Sequence, residues 1–203
     1  MQKFSALCLT ILLFAACSKN TSIEVNNGNN NNNGGNTGGN TGGNTGGNTN
    51  TNYYIKFSLD GTAKTFDVQP QALMTSAFNA TVLTFVGASN ATGGLESISL
   101  IINNTPSDNP IGAGTYSQTD ILNYLVQGVY APPGSTTEVY AAGAVINTNP
   151  TNPLKIVISS IDGKTATGTF GGDFTYVNSA TQTIGPGKKV ISNGSFYLPV
   201  VKQ

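Results

Sequence analysis

The residues that could do chemistry in this chain are constrained by the types it lacks. It contains no His, no Arg and no Trp, and all nine of its basic residues are Lys. A Ser or Thr nucleophile needs a base beside it, and neither His nor any singled-out Lys supplies one around Gly194-Ser195-Phe196. Glycoside hydrolysis needs two carboxylates about 5–9.5 Å apart across a cleft. Asp60, Asp108 and Asp162 fall in turn contexts, where Asx side chains bond their own backbone. That leaves Asp67, Glu96, Asp120, Glu138 and Asp173, with no telling spacing. A calcium loop would cluster its oxygen ligands as Asp-x-Asp-x-Asp-Gly, and neither Ser107-Asp108-Asn109 nor Asp162-Gly163 does so. No catalytic, cofactor-binding or metal residue is therefore expected, and no cofactor. Tyrosines are the remaining resource: Tyr53, Tyr54, Tyr116, Tyr124, Tyr130, Tyr140, Tyr176 and Tyr197. An exposed cluster of them could stack sugars or anchor a partner, whereas most aromatics on strands simply pack sheet faces. Gly93-Gly94 and Gly171-Gly172 read as a turn and a bulge, because no helix follows to make a phosphate cradle.

Both cysteines, Cys8 and Cys17, stand near the N-terminus. Lys3 precedes an apolar stretch from Phe4 to Ala16, too short for the roughly 20 residues of a membrane-spanning helix and of signal-peptide form. Leu13-Phe14-Ala15-Ala16-Cys17 resembles the lipobox of bacterial lipoproteins, with Phe14 where Leu is commoner. The resemblance implies cleavage after residue 16, acylation of Cys17 and anchoring to a membrane, for which two or more acyl chains suffice. Cys8 would leave with the signal and Cys17 would carry lipid, so no disulfide could support the fold.

Residues 17–52 are expected to be a lipid-anchored linker. Gly-Gly-Asn-Thr occurs four times in succession from Gly34 to Thr49, behind an Asn run. A four-residue polar repeat has nothing to stack, unlike solenoid repeats of roughly 20 residues or more. Gly-rich chain of this length behaves as a coil spanning about 30–35 Å.

Residues 53–203 are long enough for one hydrophobic core. They carry seven Lys and eight carboxylates with no block of one sign, and the whole chain has a formal net charge of zero. A nucleic-acid surface is not expected from such a balance. Tyr53 to Leu59 alternates in polarity and enters Asp60-Gly61, a hairpin signal, followed by Lys64 to Val68. Strands are further expected at 81–86, 97–102, 124–130, 139–146, 154–161, 165–170 and 190–201, while 72–78 is ambiguous. Asp162-Gly163 reads as a two-residue turn. No segment holds a helical apolar period beyond one turn. The expectation is all-β, an antiparallel β-sandwich with a β-barrel as the alternative.

The stretch from about Tyr54 to Val201 resembles a domain of unknown function found in lipoproteins of Bacteroidota. The similarity lies in Phe57-Ser58-Leu59-Asp60-Gly61, Gly114-Thr115-Tyr116, Ile161-Asp162-Gly163, Gly168 to Phe174 and Val190 to Phe196. It implies a cell-envelope β-domain and brings no site or activity with it. The functional expectation is a non-catalytic envelope lipoprotein, a binding or structural module on a tether, with palmitate at Cys17. The alternatives are a small carbohydrate-active hydrolase using an Asp/Glu pair, or a surface fibre or adhesin subunit. A fibre route through an Arg-specific protease is closed to a chain without Arg. The partners expected are a membrane through Cys17 and no nucleic acid, with a glycan or protein ligand left open. An outer-membrane location follows from the weak retention cues after Cys17, in Ser18-Lys19-Asn20; surface or periplasmic facing is undecided.

Overall fold

A computed structural model describes residues 52–77, 80–147 and 149–203. The signal segment, Cys17 and the linker up to residue 51 lie outside the described residues. Eleven strands follow one another: β1 Tyr54–Leu59, β2 Thr62–Phe66, β3 Val68–Ala77, β4 Ala80–Ala91, β5 Gly94–Asn103, β6 Gly114–Ser117, β7 Leu125–Ala131, β8 Glu138–Gly143, β9 Lys155–Ile161, β10 Thr165–Asn178 and β11 Thr183–Lys202. Among the described residues no helix is long and apolar enough to cross a membrane. The all-β expectation holds.

Alternating polarity decides which way each strand faces. In β1, Ile55, Phe57 and Leu59 are buried and Lys56 is exposed; in β9, Ile156 and Ile158 are buried and Lys155 is exposed. With a side-chain period of two, these sequences fix their register against a core. Asp60 and Gly61 both take left-handed φ, 49° and 85°, as a two-residue hairpin requires. The Asp60 carboxylate is then clipped to β11, accepting from the Val190 amide at 2.8 Å and from Lys189 Nζ at 2.9 Å.

The strands form one eleven-stranded sheet folded into two layers. One layer runs β2-β1-β11-β10-β9-β6, antiparallel throughout. The other runs β3-β4-β5-β7-β8. They are hydrogen-bonded to each other at two corners. The end of β11 pairs with β3, and the last four residues of β10 pair with β8. The two layers share one core, Phe85 of β4 lying 4.5 Å from Phe196 of β11 between ring centroids.

Several particulars differ from the sequence expectation. The β11–β3 pairing is parallel, so the sheet is mixed rather than purely antiparallel. Ile161 pairs with Ala166, so the Asp162-Gly163 connection is a four-residue loop rather than a two-residue turn. Gly163 takes φ 82°, but the Asp162 carboxylate accepts from the Lys164 and Thr165 amides and holds a wider Asx turn. The strand expected to reach Ile146 stops at Gly143, whose carbonyl accepts from the Ile146 and Asn147 amides. Finally, β10 and β11 extend to Asn178 and back to Thr183, well past the expected ends, and β6 is a strand where none was expected.

Close approach between layers depends on Gly128 in β7. A Cβ there would lie 2.7 Å from Cζ of Phe174 and 3.0 Å from Cδ2 of Leu154, both fully buried. Gly128→Val should therefore cost about 3 kcal/mol or more by overpacking. Urea unfolding monitored by circular dichroism measures this; a change below about 1 kcal/mol would show that the layers separate freely.

Candidate functional site

Directly opposed residues on neighbouring strands project to the same face. On the outer face of the six-stranded layer, Lys56, Ser195, Thr169, Val157 and Thr115 stand opposite one another across β1, β11, β10, β9 and β6. One row over, Tyr54, Tyr197, Thr167 and Ser160 are opposed in the same way. Ser160 and Thr167 hydroxyls are 2.9 Å apart. The local cause is the run Thr165-Ala166-Thr167-Gly168-Thr169, in which Ala166 and Gly168 are buried and the threonines face out. Gly168 has to be glycine: a Cβ there would collide with the Val157 carbonyl and the Phe196 ring.

A single irregularity breaks this face open. Going from Lys56–Ser195 to Ser58–Ser192, β11 carries one residue more than β1; going from Phe170–Gly194 to Gly172–Ile191, it carries one more than β10. Both shifts locate the same bulge at Ser192-Asn193. Asn193 takes φ 52° and is exposed, the left-handed geometry that Asn tolerates better than most residues. Beside it, Gly171 presents no side chain to the outer face. The result is an open trough of about 600 Å³ with Gly171 on its floor. Lys155, Val157, Thr169, Ser192, Asn193 and Ser195 line it, together with Asn152 and Pro153.

Tyr197 lies two residues beyond Ser195 on β11, roughly 6.7 Å further along the same face. Its ring is 5.2 Å from that of Tyr53 and 6.5 Å from that of Tyr54, and Lys56 Nζ sits 4.3 Å from the Tyr54 ring centroid. All three rings are half-buried rather than enclosed. Of the other tyrosines, Tyr116 and Tyr130 belong to the core. Trough and tyrosine cluster are thus contiguous on one face.

The carboxylates are placed elsewhere and apart. Glu96 is buried under Lys64 at 2.8 Å, the Tyr130 hydroxyl at 2.5 Å and the Ser89 hydroxyl at 3.2 Å. Burial pushes its pKa up, but the bonds from Lys64 and Tyr130 outweigh that and hold it below the usual carboxylate range. Burial and the Glu96 carboxylate push the Tyr130 hydroxyl up. Asp173, also buried, pairs with Lys188 at 2.7 Å. Glu138 accepts from the Tyr140 hydroxyl, and Asp120 from the Asn123 amide. Asp67 is exposed just past β2. None of these lines the trough, whose one charged side chain is Lys155.

Sequence reasoning weighed the tyrosines and the carboxylates, and Ser195 only as a nucleophile, but gave Lys155, Thr169, Ser192 and Asn193 no role in a site. Two signals pointed there: the period-two threonines with small residues between them, and the Asn-Gly and Gly-Gly pairs inside otherwise continuous strand sequence. The bulge expected at Gly171-Gly172 is on the other strand: β10 runs regularly through Gly171, and the extra residue lies opposite it in β11. Among known proteins, no family model, no curated protein and no solved structure matches the chain.

Because the folded pKa of Glu96 is depressed, its stabilising contribution is present above the unfolded value and is lost as pH falls through the folded one. Lys64→Met leaves a buried carboxylate without its cation and should cost about 3 kcal/mol near neutral pH. In chemical melts over an acid pH series, the deficit should shrink as the carboxylate becomes protonated. A deficit independent of pH would show that Lys64 contributes packing rather than charge.

Proposed function

We propose that this chain is a non-catalytic, lipid-anchored envelope protein whose β-domain binds a ligand on the outer face of the six-stranded layer. The observation that carries this reading is the trough beside the β11 bulge. Its lining offers three hydroxyls, two side-chain amides and one ammonium, groups that accept and donate hydrogen bonds to a ligand. Such a surface, apolar in its floor with a few convergent polar groups, has the make-up of a recognition site. The sequence supports the anchoring half of the proposal through the apolar run ending at Cys17 and its likeness to a lipobox. In this reading residues 17–52 tether the domain to the outer membrane.

Two measurements test the two halves separately. Mass spectrometry of membrane-extracted protein should find acyl mass on a peptide that begins at Cys17, and Cys17→Ala should abolish it. An unmodified N-terminus elsewhere overturns the anchor. For the ligand site, the full chain in detergent is applied to an array of polysaccharides alongside Thr169→Trp, which fills the trough from an exposed position. Binding to a defined glycan class that falls at least about tenfold in the variant supports the reading, tenfold corresponding to about 1.4 kcal/mol. No binding, or binding indifferent to the substitution, overturns it.

A further inference from the structure

We infer that the trough takes a segment of an acidic polysaccharide, a chain whose sugar rings carry carboxylates. The inference deepens the proposed function, and it stands on that reading of the trough as a ligand site. Charge is its first ground. Lys155 is the one charged group of the lining, and it stands directly opposite Gly171, where no side chain covers it. Lys56 stands on the same face, opposite Ser195. Among the described residues neither lysine makes an ion pair, whereas Lys64, Lys188 and Lys189 each hold a carboxylate. Neither cation has a carboxylate partner: Lys155 lines the trough, Lys56 stands beside it with its Nζ 4.3 Å from the Tyr54 ring centroid, and no carboxylate lines the trough.

Spacing is the second ground. Lys56 and Lys155 are separated by three strand intervals and two residues of offset, roughly 16 Å between backbone positions. A small anion could meet one of them only. A polymer with a carboxylate on successive rings can meet both while its intervening rings cross the Ser195–Thr169 row. The uncharged part of the lining agrees with that occupant. Thr169, Ser192, Asn193 and Ser195 match ring hydroxyls. Tyr197, outside the lining but two residues from Ser195 on the same face, offers a half-buried amphipathic ring on which the apolar face of a sugar can lie. The trough is open rather than enclosed, so a long chain can enter and leave it without ending there.

The test uses polygalacturonate and its fully methyl-esterified form, which keep one backbone and differ in charge, with the full chain in detergent. Dextran sulfate serves as an unrelated polyanion. The acidic polymer should bind at least about tenfold tighter than the ester, with affinity falling as salt is raised. Lys155→Gln and Lys56→Gln should each weaken it several-fold, Thr169→Trp should abolish it, and Lys202→Gln at the chain end should leave it unchanged. Equal binding of acid and ester, lost in Thr169→Trp but untouched in Lys155→Gln, overturns the acidic occupant while the ligand site stands. Dextran sulfate binding as tightly, and indifferent to Thr169→Trp, shows unspecific attraction and overturns the inference. Binding of neither galacturonan form also overturns it; whether the trough binds any glycan is then decided by the polysaccharide array.

Discussion

The pairing of β10 with β11 is the constraint on which the rest of the structure depends. Its ladder runs from Thr165–Pro199 to Asn178–Thr183, and each strand pairs on its far side with strands of both layers. Removing it would separate the six-stranded layer into two three-stranded pieces and leave both corners without support. β10 and β11 are consecutive strands, but the strands that flank β11 come from far away in sequence: Tyr54 of β1 meets Tyr197, and Ala72 of β3 meets Val200. Pairings of that separation have to be reached against loop-closure entropy, so the topology belongs with slow-folding β-proteins. No cysteine lies within residues 52–203 to staple it. Cohesion comes from aromatic and aliphatic packing between the layers, with Phe57 touching Phe66, Phe170 and Tyr130 and joining the two sides.

Polar groups inside that core are handled by pairing rather than exclusion. Among the described residues no buried side-chain nitrogen or oxygen lacks a hydrogen-bond partner. Glu96 draws on β2, β4 and β7 at once through Lys64, Ser89 and Tyr130. Gln118 accepts from the Leu154 amide and donates to the Asn147 carbonyl, and Asn104 bridges Thr81 and Asn109. Each contact fixes a loop or strand end that the apolar alternation alone leaves free. Unpairing any of them would expose a buried group to its full desolvation cost of about 1–3 kcal/mol.

What was legible in the sequence was what local patterns encode. The alternation of β1, the Asp60-Gly61 turn and the short apolar runs of β5 and β9 are all properties of a few adjacent residues. What was not legible was set by partners distant in sequence. The parallel β11–β3 corner has no local signature, because β11 reads the same whichever neighbour it takes. The long arms of β10 and β11 contain Asn178, Gly185, Pro186 and Gly187, which read as breakers. They are strand because Tyr176 packs across Gly185 and Gly187, where a Cβ would lie 2.7 Å and 3.0 Å from it. Asp162-Gly163 misled in the opposite direction: the dipeptide suits a tight turn, but the aspartate's bonds to Lys164 and Thr165 stabilise a wider one. The same limit hid the candidate site. Lys155, Thr169 and Asn193 come from three strands and meet only through register.

The position of that site on the seam has a physical consequence. A bulge costs ladder bonds and, at Asn193, a left-handed backbone, and such irregularities persist where the surroundings over-determine them. Here β11 is held on both flanks, by β1 and by β10, so the irregular residue cannot relax by slipping register. An edge strand with the same sequence could straighten and close the trough. The central placement thus keeps the hydroxyls of Ser192, Ser195 and Thr169 on rigid backbone while removing the side chains that would fill the space between them. Groups preorganised in this way lose little conformational freedom on binding, which is what an open, shallow site needs if a few hydrogen bonds and two lysines are to retain a ligand.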